Sequence, residues 1–281
     1  MGRHVHLREL VLGIEGLAVL RGLVDASEEQ QSGRIDEIRR VITEFDGEPW
    51  SLGLEVFELD HREGYAAWAP TYDTMANALI RAEQPIVERL IADLPPPQRA
   101  LDAACGTGRH AEHLTEAGHI VNGVDASPDM LALARTKVPV ATFAEGDFCA
   151  LDFADDSFDL VVCSLALTHT RDLTVPIREF ARVVRSGGRV ILSDIHPMNV
   201  LILGQGFFSD EHGNFAFVRN YVHHISSYVD AITGAGLRVR ACVEPLGDTA
   251  AAGPATQFVP EAAARAVNGL PFALIWDLEK P

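Results

Sequence analysis

The sequence predicts an α/β fold, a mostly parallel sheet with helices on both faces. Three observations predict it. From Arg99 onward, short β-branched runs alternate with helical segments. A glycine-rich turn, Cys105-Gly106-Thr107-Gly108, joins the first of those runs to the first helix. An aspartate, Asp125, closes the next run. In sheets of this kind ligands bind beyond the carboxyl ends of the strands, where strand order reverses.

The elements follow in order. Leu7, Leu10, Ile14, Leu17 and Val24 recur at helical spacing, as do Ile35, Ile38, Ile42 and Phe45. They predict two amphipathic helices in an N-terminal helical extension over residues 1–60. Gly13, Gly16 and Gly22 each cost a helix interior about 1 kcal/mol relative to alanine. The first helix therefore needs a partner surface, and its stripe suits a pocket cap or a face that pairs two copies. A third helix is expected over 75–94, stopped by Pro95-Pro96-Pro97. The larger domain, 61–281, then alternates. Strands are expected at 100–103, 120–124, 140–143, 158–164, 189–194, 237–243 and 272–277. Helices are expected at 109–117, 128–135, 173–184 and 221–235. The long segment at about 197–220, rich in glycine and phenylalanine, suits an active-site lid.

Composition narrows the function classes. The 281 residues are 47% hydrophobic and 22% charged, with 23 Lys+Arg against 40 Asp+Glu and a net charge of −17. A chain this acidic is repelled by phosphate backbones and anionic membranes, so neither nucleic acid nor membrane is expected as a partner. No uncharged apolar run reaches the roughly 18 residues a membrane span needs. Glu9, Glu15 and Arg21 break the apolar segment that a signal peptide would require. Cys105, Cys149, Cys163 and Cys242 show no paired spacing, which predicts a reduced, cytoplasmic compartment. No HExxH or Cys/His zinc spacing occurs, and no metal is expected.

The loop after the first strand carries most information. Gly106, Gly108 and Ala111 fit the dinucleotide pattern, and Asp125 stands where a carboxylate can accept ribose hydroxyls. Alone, this leaves nicotinamide and flavin cofactors open. Asp102, four residues before Gly106, would repel a pyrophosphate and attract a cationic amino group. Gly146-Asp147-Phe148 follows the third strand; its aspartate can accept from an exocyclic amine while apolar groups sandwich a purine.

With these residues in place, the chain from about residue 65 to 243 resembles the class I S-adenosylmethionine-dependent methyltransferases. The likeness is to the small-molecule group similar to ubiquinone- and menaquinone-type enzymes. Six stretches carry it: Tyr65 with Tyr72-Asp73, the loop over 102–108, Val124-Asp125-Ala126-Ser127-Pro128-Asp129-Met130-Leu131, Gly146-Asp147-Phe148, Phe158-Asp159-Leu160-Val161-Val162, and Arg185-Ser186-Gly187-Gly188-Arg189-Val190. The resemblance implies a Rossmann-like seven-stranded sheet whose last strand is antiparallel. It implies S-adenosylmethionine as cofactor, with Asp102 toward the methionyl amino group and Gly106 and Gly108 along the cofactor. Asp125, with Ala126 beside it, would hold the ribose. Met130, Asp147 and Phe148 would surround the adenine, Ser164 would lie near the methionyl part, and Tyr72 would cover the site. Ala104 stands where the family's loop commonly has its first glycine.

Methyl transfer from a sulfonium needs alignment, exclusion of water and, for some acceptors, a base. Histidine suits that task near neutral pH. His169 follows the fourth strand, His196 follows the fifth, and His224 and Tyr228 lie near a later helix; these four are the catalytic candidates. His110, His113 and His119 are expected at the surface. The expected activity is methylation of a small aromatic or heteroaromatic, natural-product-like acceptor at oxygen, nitrogen or carbon, indole carbon included. The alternatives are an NAD-dependent oxidoreductase and a non-catalytic cofactor-binding module. The N-terminal helices are also where a homodimer would form.

Overall fold

The alternation beyond Arg99 folds into one sheet of seven strands. The computed structural model describes residues 2–74 and 77–281. The chain divides into two units. One comprises the residues up to Glu58 together with Leu246–Pro271, the other Leu59–Pro245 with Phe272–Pro281.

Along the chain, the smaller unit begins with β1 (Arg3–His6), α1 (Leu7–Gly22), α2 (Glu28–Thr43) and most of β2 (Gly53–Leu59). The larger unit continues with α3 (His61–Tyr72), α4 (Ala78–Ala92), β3 (Arg99–Ala103), α5 (Arg109–Glu116), β4 (Ile120–Asp125), α6 (Pro128–Lys137) and β5 (Thr142–Glu145). Next come β6 (Phe158–Ser164), α7 (Thr174–Val183), β7 (Val184–Ile195), α8 (Pro197–Leu203), β8 (Gly206–Ser209), β9 (Phe215–Val218), α9 (Ile225–Gly234) and β10 (Arg238–Val243). The chain returns to the smaller unit for α10 (Ala255–Phe258) and α11 (Pro260–Val267), and β11 (Ala273–Glu279) closes the sheet.

The sheet order is β10-β11-β7-β6-β3-β4-β5. β3 pairs in parallel with β4 and β6, and β6 with β7, while β11 runs antiparallel to both of its neighbours. Only the last strand is reversed, as the family resemblance implied. Strand order turns back between β3 and β6, which makes their carboxyl ends the place for a ligand. β3 and β6 are covered on both faces. Leu101, Ala103, Val161 and Cys163 pack on one side; Ala100, Leu160 and Val162 pack on the other against Val87 and Ile91 of α4. Each fully buried leucine, valine or isoleucine among them stabilises the fold by roughly 1.5–3 kcal/mol.

In the smaller unit α1 buries Val11, Ile14 and Ala18, and α11 buries Ala262, Ala263 and Ala266. Arg21 donates to the carbonyls of Ala266 at 2.7 Å and Asn268 at 3.1 Å, tying the end of α1 to that of α11. Ser27 and Gln30 form a capping box that starts α2.

Several expectations are corrected. Val24 lies beyond α1 and is exposed, and α2 buries only Val41 while Ile35 and Ile42 face water. The expected helix start at Met75 lies outside the described residues; α4 begins at Ala78. β1 and β2 were not expected, because short strands with mostly exposed side chains show no alternation of burial. β5 is shifted two residues later, and α9 starts at Ile225 rather than 221. The 197–220 segment is not an open loop but α8 followed by the β8–β9 hairpin. His110 and His119 are buried, not at the surface. His110 sits on the inner face of α5, and His119 Nδ1 accepts from the Gln98 amide at 3.1 Å.

Candidate functional site

The carboxyl ends of four adjacent strands, β4, β3, β6 and β7, each present a polar side chain: Asp125, Asp102, Ser164 and Asp194. Backbone strain concentrates here. Ala104 and Leu165, which follow β3 and β6, both adopt left-handed φ values, +58° and +55°. That conformation costs a residue with a Cβ roughly 1–2 kcal/mol and marks functional turns. Leu165 is held by its amide donating to Ser193 O at 2.8 Å.

The glycine loop is built for close approach. Gly106 has φ +53°, and a Cβ there would meet nothing within 4 Å, so open space lies beside the backbone. Gly108 has φ +84°, and its Cβ would press on Ala134 Cβ at 3.2 Å, so glycine lets α5 begin against α6. Asp125 fixes this loop. One carboxylate oxygen accepts from the Gly106 amide at 2.8 Å and the other from the Ser127 amide at 2.9 Å. Each oxygen keeps a further lone pair for a hydroxyl ligand.

Asp102 is 1% exposed, and its Oδ2 has no hydrogen-bond partner among the described residues. Burial pushes its carboxyl up to about 7, against the opposing pull of Arg109 and the Ala111 amide. The Ser164 hydroxyl is likewise buried and without a partner. Two unmet polar groups on the adjacent strands β3 and β6, at the point where strand order turns back, mark a place for a ligand. Asp194 is satisfied: the Tyr228 hydroxyl donates to Oδ2 at 2.6 Å and the Ile195 amide to Oδ1 at 2.8 Å. Burial still raises its carboxyl to about 7.

Beneath the loop lies a charged anchor. Glu83 of α4 is fully buried, accepts from Arg109 at 2.8 Å and from the Ser193 hydroxyl at 2.6 Å, and has His110 Nε2 at 3.3 Å. Burial raises its carboxyl, but His110, Arg109 and Ser193 together bring it down to about 2. From the end of α3, Asp73 accepts from Thr107 of the loop at 2.7 Å and from Lys137 of α6 at 2.6 Å.

The remaining candidates take different places. Tyr72 lies edge-on to Trp68 at 5.0 Å in an aromatic cluster with Tyr65 and Phe208. Met130 is buried on the inner face of α6, Ala126 is half-buried beside Asp125, and Phe148 packs on the core. Asp147 is exposed and accepts from the Cys149 amide at 2.8 Å. His196 caps α8: its Nδ1 accepts from the Met198 amide at 3.2 Å while Nε2 donates to Glu244 at 2.9 Å. His224 is exposed at the start of α9. His169 Nδ1 meets the Arg219 carbonyl at 3.1 Å, and Nε2 meets the Tyr65 hydroxyl at 2.8 Å. The sequence singled out neither Asp194 nor Glu83. Each is a lone acidic residue whose side-chain partners lie 26 to 110 positions away, so no local spacing could reveal them. Among the described residues, no group of three or more His, Cys, Asp or Glu side chains is arranged to hold a metal ion. Among them also, no helix is long and apolar enough to cross a membrane.

A seven-stranded sheet with a single reversed last strand, a glycine turn after β3 and an acid at the end of β4 define a nucleoside-binding α/β protein. Comparison with known proteins gives the family. Residues 101–192 match the methyltransferase domain model. The chain is 30% identical over 204 residues to the methyltransferase GfsG of Streptomyces halstedii, covering 68% of this chain and 70% of that protein. It is 35% identical over 133 residues to a demethylmenaquinone methyltransferase of Renibacterium salmoninarum, 46% of this chain and 56% of that one. The match thus spans about half the length of such relatives. An S-adenosylmethionine-dependent methyltransferase from Mesorhizobium loti superposes with a TM-score of 0.54 at 25% identity, covering 70% of this chain and 97% of that one. The chain belongs to the class I S-adenosylmethionine-dependent methyltransferases.

Proposed function

We propose that the protein transfers a methyl group from S-adenosylmethionine to a small, flat, aromatic or heteroaromatic acceptor. The observation that carries this is Asp102: a buried carboxylate with an unpartnered oxygen beside an open glycine turn. Such a group calls for a cation, and a methionyl ammonium is one; a dinucleotide pyrophosphate would be repelled. The bound donor supplies a methyl group on a positively charged sulfur. Everything else falls to the chain. Asp102 and Ser164 face the methionyl part, and Ala104, Gly106 and Gly108 run along it. Asp125 and Ala126 hold the ribose. Met130, Asp147 and Phe148 surround the adenine, and Tyr72 excludes water from above.

Among the four candidates for the base, His169 is favoured. His196 spends both nitrogens on a helix cap and Glu244, Tyr228 gives its hydroxyl to Asp194, and His224 faces solvent. His169 is half-buried, and its desolvation lowers its pKa, so it is neutral and able to accept a proton near pH 7. Tyr65, Trp68 and Tyr72, with buried Phe208 stacked behind Trp68, supply aromatic surface for an acceptor ring. The net charge of −17 disfavours nucleic acid as the acceptor, with the cytoplasm as the proposed compartment. Exposed Leu20 and Ile42 on the N-terminal helices, with Leu23 just past the end of α1, suit pairing with a second copy.

Calorimetric titration with S-adenosylmethionine, S-adenosylhomocysteine and NADH tests the cofactor. Micromolar binding of the two sulfur nucleosides, with none of NADH, is expected. Binding of NADH, or of nothing, overturns the proposal.

A further inference from the structure

Tyr65 was one of the residues carrying the family likeness, yet it has no role in holding the donor. It stands on α3, its hydroxyl 2.8 Å from His169 Nε2 and its ring edge-on to the imidazole at 5.5 Å. The partners settle who donates. A carbonyl only accepts, so His169 Nδ1 carries a proton for Arg219 O, and Nε2 accepts from the Tyr65 hydroxyl. The Tyr65 oxygen therefore has its only hydrogen committed and two lone pairs left. It can receive a hydrogen bond from a ligand but cannot give one. Tyr65 also feels the charges of Asp125 and Asp194, from the ends of β4 and β7, on either side of the switch between β3 and β6.

We propose that Tyr65 is the catalytic residue that meets the acceptor, that it relays the acceptor's proton to His169, and that the acceptor group is a neutral hydroxyl on a flat ring. This deepens the methyltransferase proposal and rests on it. The acceptor oxygen gains the methyl group and loses its proton to Tyr65 Oη. Tyr65 passes its own proton to His169 Nε2. The positive charge that arrives with the methyl donor ends on the imidazolium, steadied by the Arg219 carbonyl, and the donor leaves as a neutral thioether. A site offering only lone pairs selects an O–H or N–H and gives a ring carbon nothing to hold. A phenol has an ordinary pKa near 10, below that of Tyr65 in its buried setting, so passing the acceptor's proton to Tyr65 Oη runs downhill. Burial and the nearby Tyr72, Asp125 and Asp194 raise the Tyr65 pKa, and the same carboxylates disfavour an acceptor that arrives as an anion. The groups facing His169 are Tyr65 and His61 of α3 and the Arg219 carbonyl; burial and His61 lower its pKa, so it starts neutral.

The test uses the full chain with 4-methylphenol, 4-methoxyphenol and 2-naphthol as acceptors, and aniline and indole as controls. Tyr65→Phe and His169→Gln should each lower kcat about 100-fold on the best phenol with KM little changed. The double variant should be no slower than the slower single, because one relay is broken once. The acid limb of the wild-type kcat profile should vanish in His169→Gln. Without any turnover, the ¹⁵N resonance of His169 Nε2 should show a hydrogen-bonded acceptor and move in Tyr65→Phe. Unchanged S-adenosylhomocysteine affinity in each variant reports an intact fold. Wild-type kcat in Tyr65→Phe, or methylation of indole or aniline with no phenol turned over, overturns the relay. A wild-type protein that does not bind S-adenosylhomocysteine overturns the cofactor proposal instead, and is seen before any acceptor is added.

Discussion

Asp102→Asn separates what the site costs the fold from what it gives the ligand. In the folded chain the Asp102 carboxyl is raised to about 7 from a reference of 3.8, with burial the largest cause. A shift of about 3 pKa units corresponds to roughly 4 kcal/mol between the protonated and ionised forms. The group is 1% exposed, so solvent screening does not discount it. Because the folded pKa lies above the unfolded one, the folded chain holds the proton more tightly. The resulting stability is fully present below about pH 4 and is lost as pH rises through about 7. Asparagine cannot ionise and escapes the loss. At pH 8 the variant should be about 3–4 kcal/mol more stable than wild type, and at pH 4 the difference should shrink to under about 1 kcal/mol. Urea denaturation at the two pH values reads this directly. Saturating S-adenosylhomocysteine, whose ammonium pairs with the ionised carboxylate, should stabilise wild type more than the variant and narrow or reverse the gap. A difference that is the same at both pH values, or a variant less stable than wild type at pH 8, refutes the reasoning.

Two further substitutions probe the same rim. Ala104→Gly relieves a left-handed alanine worth roughly 1–2 kcal/mol but adds unfolded-state freedom worth about 0.5–1 kcal/mol. A small net gain in urea midpoint is expected; a loss would mean that φ +58° is not a strained position here. His196→Ala removes the α8 cap and should cost about 1 kcal/mol of stability while leaving kcat within about twofold. A fall of 100-fold in kcat with cofactor affinity intact would instead make His196 the base.

The parts legible in the sequence are those written within a few residues. The β3 strand, the positive-φ turn at Gly106 and Gly108, α5 and β4 ending on Asp125 all announce themselves by local pattern, and β3, β4 and α5 lie within one residue of expectation. What escaped is set by distant partners. Segment 246–271 belongs with the N-terminal helices through contacts such as Arg21 to Ala266, 245 positions apart. β1 is a strand only because β2, some 50 residues on, pairs with it.

The two histidines that follow strands show why a motif alone could not choose the base. His169 and His196 share the same local setting, a histidine just past a strand end. In one, Nδ1 accepts from a helix amide and Nε2 is drawn to Glu244, 48 positions on; in the other, Nδ1 donates to a carbonyl and Nε2 is left to accept, from a tyrosine 104 positions back. The two rings are therefore opposite tautomers with opposite uses. One lone pair holds a helix start and is lost to chemistry, whereas the other is shared with a hydroxyl that can exchange its proton. Whether a histidine can serve as a base is fixed by which nitrogen its neighbours protonate. That information enters the site only when α3 folds over the strand ends and brings Tyr65 to His169.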